Sequence, residues 1–367
     1  MNSSKLMEWA KRYDFSFTIL VTIIFIVGIV NLYSATHVSE FKGLYKTQIL
    51  WFLFSMSIAF VVSFVSPKTL MRIAYPAYFA NILLLVLVLV MGKIGMGAQR
   101  WLDLGPVHFQ PSELMKVTTC LVLARWFAKT ESIGDMGFKE LIIPFLLCAI
   151  PALLIIVQPD LGTGLLLFLI FAVVVFYRRL RWKTIAVLMI LAALCGGAMY
   201  QFGLKDYQKK RIHTFIDPDA DARGSGYNAI QSKIAIGSGK MWGKGFMQST
   251  QASLNYLPEN HTDFVFSIYN EERGFFGSIF LISIYVLLLY RFVMLANSAN
   301  RFFDSVLSIG LMSIFFWHTF VNMGMVAGML PIVGLPLPYM SYGGSSLLTF
   351  GICLGMATSM SNSRKFF

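Results

Sequence analysis

Apolar residues fall in ten long stretches, near 15–34, 48–65, 73–92, 111–128, 141–157, 161–177, 184–203, 268–290, 304–325 and 342–360 of the 367-residue chain. About 20 mostly apolar residues suffice to cross a bilayer as a helix. The breaks between stretches are short, except for 204–263. The pattern predicts an all-α polytopic membrane protein: one unit over 1–367 with about ten transmembrane helices. Residues 204–263 are predicted to form a large extracytoplasmic loop between spans seven and eight. The fourth stretch is the weakest, because Glu113 and Lys116 interrupt its start. The fifth and sixth are parted only by Gln158-Pro159-Asp160. Tyr75-Pro76 predicts a kink at the start of the third. An even number of spans leaves both termini on one side.

Composition supports this reading. Hydrophobic residues make up 57% of the chain and charged ones 13%, against about 25% charged in soluble domains. The net charge of +12 is read as topology. With the amino terminus inside, the inner segments hold most of the Lys and Arg, and the short outer loops hold only Lys42, Lys46, Lys93 and Arg100. This predicts two cytoplasmic termini, long loops being largely exempt from the rule. The outer loop then carries a cationic lobe. No basic helix or aromatic-basic module argues for nucleic acid. Cys120, Cys148, Cys195 and Cys353 all lie in apolar runs, as small buried hydrophobes do. The first stretch lacks a small-residue cleavage site and reads as an anchor.

Candidate chemistry clusters at the ends of the stretches. In Leu254–Gly277 a polar run, Pro258 to Asp263, stops abruptly at Phe264. Ionisable groups at the lip of a membrane helix are functional candidates. Asp263 either caps the eighth helix or performs chemistry, and His261 either supports the turn or assists. Glu113 and Lys116, three apart, share a helix face; they either neutralise each other in the bundle or face a cavity. Arg100-Trp101 sets a cation beside an interfacial ring. Asp160 either caps the sixth helix or adds a second carboxylate at the outer mouth. In the outer loop, Ile230, Ile234 and Ile236 predict a short amphipathic helix lying on the membrane. The glycines around Lys240 would let backbone amides approach a phosphate. Gly328–Ser346 holds no charge, three prolines (Pro331, Pro336, Pro338) and Gly343-Gly344. It predicts a re-entrant segment, allowed at membrane depth only where protein or water covers its backbone, with Ser341, Ser345 and Ser346 either satisfying that backbone or lining a groove.

Taken in order, GAQRWLDLGPVHFQPSELMK, QPDLGT, GSGYNAIQS with AIGSGK, LPENHTDF followed by EERGFFG, and GLPLPYMSYGGSS resemble the shape, elongation, division and sporulation family, in its RodA-like branch. Lys240 stands where the family has glycine, and Met247-Gln248-Ser249 departs from its glycine-containing turn. The resemblance implies a peptidoglycan glycosyltransferase of the bacterial inner membrane. Such an enzyme polymerises the undecaprenyl-linked precursor lipid II for elongation and cell shape, with a class B penicillin-binding protein as transpeptidase partner. It implies Asp263 as the catalytic residue. Arg100, Glu113, Lys116, Asp160, Lys240, His261, Ser341 and Ser345 are weaker substrate-binding candidates.

The expected mechanism is a single inverting displacement, with Asp263 as general base and a pyrophosphate leaving group neutralised by Arg100, Lys116 and a divalent cation such as Mg or Mn. The alternatives are a division polymerase of the FtsW-like branch, a lipid II flippase, and a scaffold that only positions the transpeptidase.

Overall fold

A computed structural model of the chain describes residues 13–38, 41–95, 98–103, 108–130, 136–203, 206–221 and 224–364. Lys5, Lys11, Arg12, the Gly105-Pro106 turn, Lys205, Arg223, Lys365 and the Cys195 side chain lie outside what is described.

Each of the ten apolar stretches is a helix. They are α1 (Phe15–Thr36), α2 (Leu44–Ser63), α3 (Pro67–Met91), α4 (Pro111–Lys129), α5 (Phe138–Val157), α6 (Leu161–Tyr177) and α7 (Trp182–Ala198). Three short helices of the 204–263 segment follow: α8 (Asp206–Ile216), α9 (Ser225–Ser238) and α10 (Thr250–Ser253). The bundle closes with α11 (Val265–Asn297), α12 (Phe302–Val326) and α13 (Gly344–Arg364). Seven of these helices are long and apolar enough to cross a membrane, and α6 is apolar but shorter. The polytopic reading holds.

The less apolar α4 and α13 lie inside the bundle. Gly351 and Gly355 of α13 lie against the Ser55 and Ala59 backbone of α2, where an added Cβ would stand 2.6 Å from each carbonyl oxygen. Small residues four apart let two helices approach closely in lipid. Ser55 Oγ also donates to Leu347 O (2.5 Å). Leu50, Leu53, Phe54, Leu83 and Val90, more than half exposed, form the outward apolar surface that such a bundle turns to hydrocarbon.

One expectation changes in detail. α3 starts at Pro67, capped by Ser66, so Pro76 sits inside the helix rather than at its start. Between α3 and α4 the chain also forms a small antiparallel sheet of order β1-β2-β3, made of Lys93–Gly95, Ala98–Asp103 and His108–Phe109.

At one end of the bundle the two ends of the chain meet. Asp14 caps α1 through Ser16 N (3.0 Å), pairs with Arg291 (2.8 Å), and accepts from Ser361 Oγ (2.7 Å). Its amide donates to Asn362 (3.1 Å). Burial alone would raise the Asp14 carboxyl pKa, but the Ser361, Ser16 and Arg291 contacts prevail and hold it below the ordinary range. At the core of the bundle, Phe315 packs on Phe292, Phe350 and Tyr339 with ring centroids 5.2–6.2 Å apart.

Candidate active site

Asp263 lies at the other end of the bundle, one residue before the N-cap of α11. The N-cap is Phe264, which makes no side-chain capping bond. The capping reading of Asp263 therefore fails: its carboxylate does not bond the first turn, and among the described residues it forms no hydrogen bond. It is half-buried. Burial raises its pKa to about 6, the Glu259 charge adds to the rise, and Arg211 opposes it. A carboxylate near neutrality is a stronger base than a free one and is still ionised at pH 7.

The segment between α12 and α13 positions Asp263. As expected, it is non-helical and inserted among helices. Its backbone groups are bonded one by one by the surrounding side chains. Asn322 Nδ2 donates to Leu335 O (2.8 Å) and to Asp263 O (3.0 Å). His318 Nδ1 meets Pro336 O (3.0 Å), and Tyr285 Oη donates to Pro338 O (2.6 Å). Gln48 donates to Ser341 O (2.9 Å) and accepts from Gly343 N (3.2 Å). Ser341 Oγ accepts from Leu337 N (2.8 Å) and donates to Thr262 O (2.6 Å). Of the two readings of Ser341, the structure realises backbone satisfaction. Ser345 is buried in the first turn of α13, its carbonyl accepting from Thr349 Oγ1 (3.0 Å). At Gly334 (φ +80°) an added Cβ would stand 3.3 Å from Asp263 Oδ2, so the loop backbone forms one wall beside the carboxylate.

Glu113 and Lys116 sit beneath this loop. Lys116 Nζ bonds Glu113 Oε1 (2.8 Å) and His318 Nε2 (2.7 Å), and its side chain is fully buried. The ring nitrogens settle the tautomer: Nδ1 faces a carbonyl and must carry the proton, while Nε2 faces an ammonium and must accept. The chain Glu113–Lys116–His318–Pro336 thus ties α4 through α12 to the loop. The pair neutralises itself inside the bundle.

Asp160 caps α6 through Thr163 N (3.2 Å) and accepts from Gln110 Nε2 (3.3 Å). Arg100 donates to Gln158 O (3.3 Å) and Pro159 O. A Cβ on Gly162 would stand 2.6 Å from Val333 Cγ1, so the QPDLGT turn abuts the loop one residue from Gly334. His261 is buried. Its carbonyl accepts from Tyr342 N (2.9 Å), its ring lies 4.5 Å from Phe41, and burial lowers its pKa against the pull of Glu259.

The 204–263 segment bears on two sequence expectations. First, α9 packs one face on the bundle: Ser232 is fully buried and bonds Ser267 Oγ and Val326 O, 2.7 Å each, on α11 and α12. Second, the glycines around Lys240 do not present free amides. α11 breaks at Gly274 (φ 65°, ψ −161°), a conformation essentially restricted to glycine. The break frees the carbonyls of Glu271 and Glu272 and the amides of Phe275 and Phe276. Residues 240–245 take up all four: Lys244 N to Glu271 O (2.9 Å), Gly245 N to Glu272 O (3.1 Å), Phe275 N to Lys240 O (2.9 Å) and Phe276 N to Met241 O (3.2 Å). Only glycine fits at 239 and 243, where a Cβ would lie 2.1 Å from the Asn270 and Glu272 carbonyl oxygens. Lys240 is exposed with φ 49°, and Met247 has φ 60°. The two departures from the family's glycines thus both fall at or beside left-handed backbone.

Sequence reasoning gave no role to the two glutamates of EERGFFG. Glu271 accepts from Lys244 Nζ (2.6 Å), Ser249 Oγ (2.5 Å), Thr250 Oγ1 (2.7 Å) and Thr250 N (3.1 Å). Glu272 accepts from Ser34 Oγ on α1. Two adjacent carboxylates near the start of the 268–290 stretch were the signal. Among the described residues, no three His, Cys, Asp or Glu side chains gather as a metal site, so these residues do not build an all-protein site.

Residues 14–366 match the FtsW/RodA/SpoVE family profile, described as "Cell cycle protein". The chain is 38% identical over 365 residues, covering 99% of it and 98% of the relative, to the Escherichia coli (strain K12) protein named peptidoglycan glycosyltransferase MrdB. It is 35% identical to a probable peptidoglycan glycosyltransferase FtsW of Coxiella burnetii, over 82% of each chain. A chain from a solved structure described as "Structural coordination of polymerization and crosslinking by a peptidoglycan synthase complex" superposes with TM-score 0.82 at 35% identity, covering 96% of this chain and 98% of that one. The crystal structure of Thermus thermophilus rod shape determining protein RodA superposes with TM-score 0.72 at 32% identity, covering 96% and 97%.

Proposed function

The chain belongs to the FtsW/RodA/SpoVE family, and from that membership we infer that it is an inner-membrane peptidoglycan glycosyltransferase that joins lipid II units during elongation. The observation that carries the reading is Asp263: an unbonded, half-buried carboxylate with a pKa raised to about 6, at the end of the bundle opposite the paired termini. The 4-hydroxyl of the acceptor sugar attacks C1 of the donor. As the O4–C1 bond forms, the C1–pyrophosphate bond breaks, and the electron pair leaves with the polyprenyl pyrophosphate. The acceptor proton passes to Asp263, which later returns it to water. An α-linked donor gives a β bond by inversion, as in other inverting sugar transfers. No acid is needed for a pyrophosphate whose charge is neutralised.

Glu113, Lys116, Ser341 and Asn322 act in this scheme as positioning residues, through the loop that walls the base. Arg100 and Asp160 do the same through the Gln158–Thr163 turn. His261, neutral and buried, supports the turn before Asp263, the exposed Lys240 side chain stands by as a substrate contact, and the buried Ser345 supports the first turn of α13. A divalent cation belongs to the proposal as a pyrophosphate-borne ion: Mg²⁺ is commonly held by one or two carboxylates plus substrate phosphates. It would supply leaving-group charge neutralisation. The distribution of Lys and Arg supports cytoplasmic termini and an active end on the outer face. A class B penicillin-binding protein is the partner this family membership suggests, and the solved synthase complex described above supports it.

The test is reconstitution with the transpeptidase partner and labelled lipid II, with and without divalent cation. Polymer is expected from the parent and none from Asp263→Asn. Normal polymerisation by the folded variant would remove Asp263 as the base.

A further inference from the structure

Arg211 was met above only as a charge that opposes the rise at Asp263. Its own surroundings are more informative. Its Nη1 donates to Ile332 O (3.2 Å) and Val333 O (3.5 Å), so the guanidinium is fixed against the same strand of loop whose next residue, Gly334, touches Asp263. That strand forms one side of a cleft between α8, α9 and the end of α12. Arg211 and Lys233 line it together with Phe215, Met325, Leu330 and Ile332. Lys233 lies across Gly328 (φ +76°), where an added Cβ would stand 2.0 Å from its Cε and 2.8 Å from its Nζ. Among the described residues neither cation has a carboxylate partner: the described ion pairs of the outer loop are Lys210 with Asp221, Lys244 with Glu271, and His261 with Glu259.

Two unneutralised cations over an apolar floor fit an anion that carries a hydrocarbon tail. One of them is a guanidinium with donors to spare, the group best suited to phosphate oxygens. An inverting displacement puts base and leaving group on opposite sides of the reacting carbon, so the pyrophosphate needs a site near Asp263 but apart from it. Arg211 acts on Asp263 through space without bonding it, and both side chains touch the Ile332–Gly334 segment. We propose that the Arg211–Lys233 cleft is the subsite that holds the pyrophosphate of a polyprenyl-linked sugar and neutralises it as it departs. This rests on the glycosyltransferase reading and adds the place of the leaving group to it.

The test uses the full chain in nanodiscs in an Asp263→Asn background, so that binding is read without turnover. The probes are undecaprenyl pyrophosphate, phosphatidylglycerol and inorganic pyrophosphate, and intrinsic fluorescence or native mass spectrometry reports occupancy. Arg211→Gln and Lys233→Met are each expected to weaken undecaprenyl pyrophosphate about tenfold or more, as loss of a charge-assisted bond does. Arg211→Lys should recover part of the loss, phosphatidylglycerol should be unaffected, and inorganic pyrophosphate should compete weakly. Unchanged affinity in both variants would overturn the proposal, as would phosphatidylglycerol competing on equal terms. Thermal unfolding of each variant separates lost binding from lost folding, and proteolysis of a variant's outer loop at the parent's rate confirms that the cleft is intact. Polymerisation by the Asp263 parent is measured in parallel. Polymer with unchanged probe binding in the variants sinks the subsite alone, whereas no polymer from the parent sinks the enzyme reading.

Discussion

Replacing Asp263 by asparagine should make the folded protein more stable while abolishing its activity. The carboxyl rises from an ordinary 3.8 to about 6, mainly through burial. At 1.36 kcal/mol for each tenfold change, this corresponds to at most about 3 kcal/mol opposing the ionised folded state, less what solvent at a half-buried site screens. The sign follows from linkage. Where the folded pKa lies above the unfolded one, there is no penalty below pH 3.8; the penalty grows between 3.8 and 6, and it is full above that. Asp263→Asn keeps the shape and removes the charge. Detergent-solubilised parent and variant compared by thermal unfolding at pH 7.5 should differ by a few degrees in favour of the variant, and the difference should shrink to about half by pH 5. A helix cap behaves differently: Asn and Asp cap equally well, and Ala costs about 1 kcal/mol. If Asp263→Asn unfolds at the parent's temperature at pH 7.5, or Asp263→Ala is the less stable of the three at every pH, the unpaired-carboxylate account is wrong.

The same carboxyl sets a pH profile: with a base of pKa about 6, the polymerisation rate should fall roughly tenfold between pH 7 and pH 5, and a flat profile over that range would exclude it as the base. Lys116→Met should strand Glu113 inside the bundle and cost about 3–5 kcal/mol, read as lost folded yield and a lower unfolding temperature. Adding Glu113→Gln should restore most of it, and a single variant as stable as the parent would show the pair to be dispensable. Gly243→Ala drives a Cβ to 2.1 Å from Glu272 O at φ +80° and should cost more than about 2 kcal/mol. Gly245→Ala, with nothing nearer than 3.6 Å, should cost about 1–2 kcal/mol, the left-handed penalty alone. Equal effects at the two sites would refute the close-packing account of the clamp.

The bundle helices could be read in the sequence because a membrane demands a long apolar run for each crossing, and every such run became a helix. The shielded loop before α13 could be read too, from its prolines and lack of charge. What could not be read was pairing between distant segments. The glycines near Lys240 have the same local signature whether they wrap a phosphate or press against another backbone, and only the position of Gly274, more than a loop away, decides between these. Local pattern alone leaves Asp263 open between a cap and a base, because capping depends on a φ/ψ choice at Phe264 that no residue type announces; only the family resemblance favours the base. Arg211 was one lysine-rich run member among several until the fold set it against Ile332. The three short strands left no periodic trace, being too short for alternation to register.

The broken α11 bears on how the chain is made. Residues 240–245 emerge from the ribosome only about thirty residues ahead of 271–276, a short separation whose closure is fast compared with synthesis. The four backbone bonds can therefore form as soon as the first half of α11 clears the insertion machinery, before α12 is inserted. The segment bearing Asp263 would then be set in place early, leaving the later spans and the proline loop to close around it.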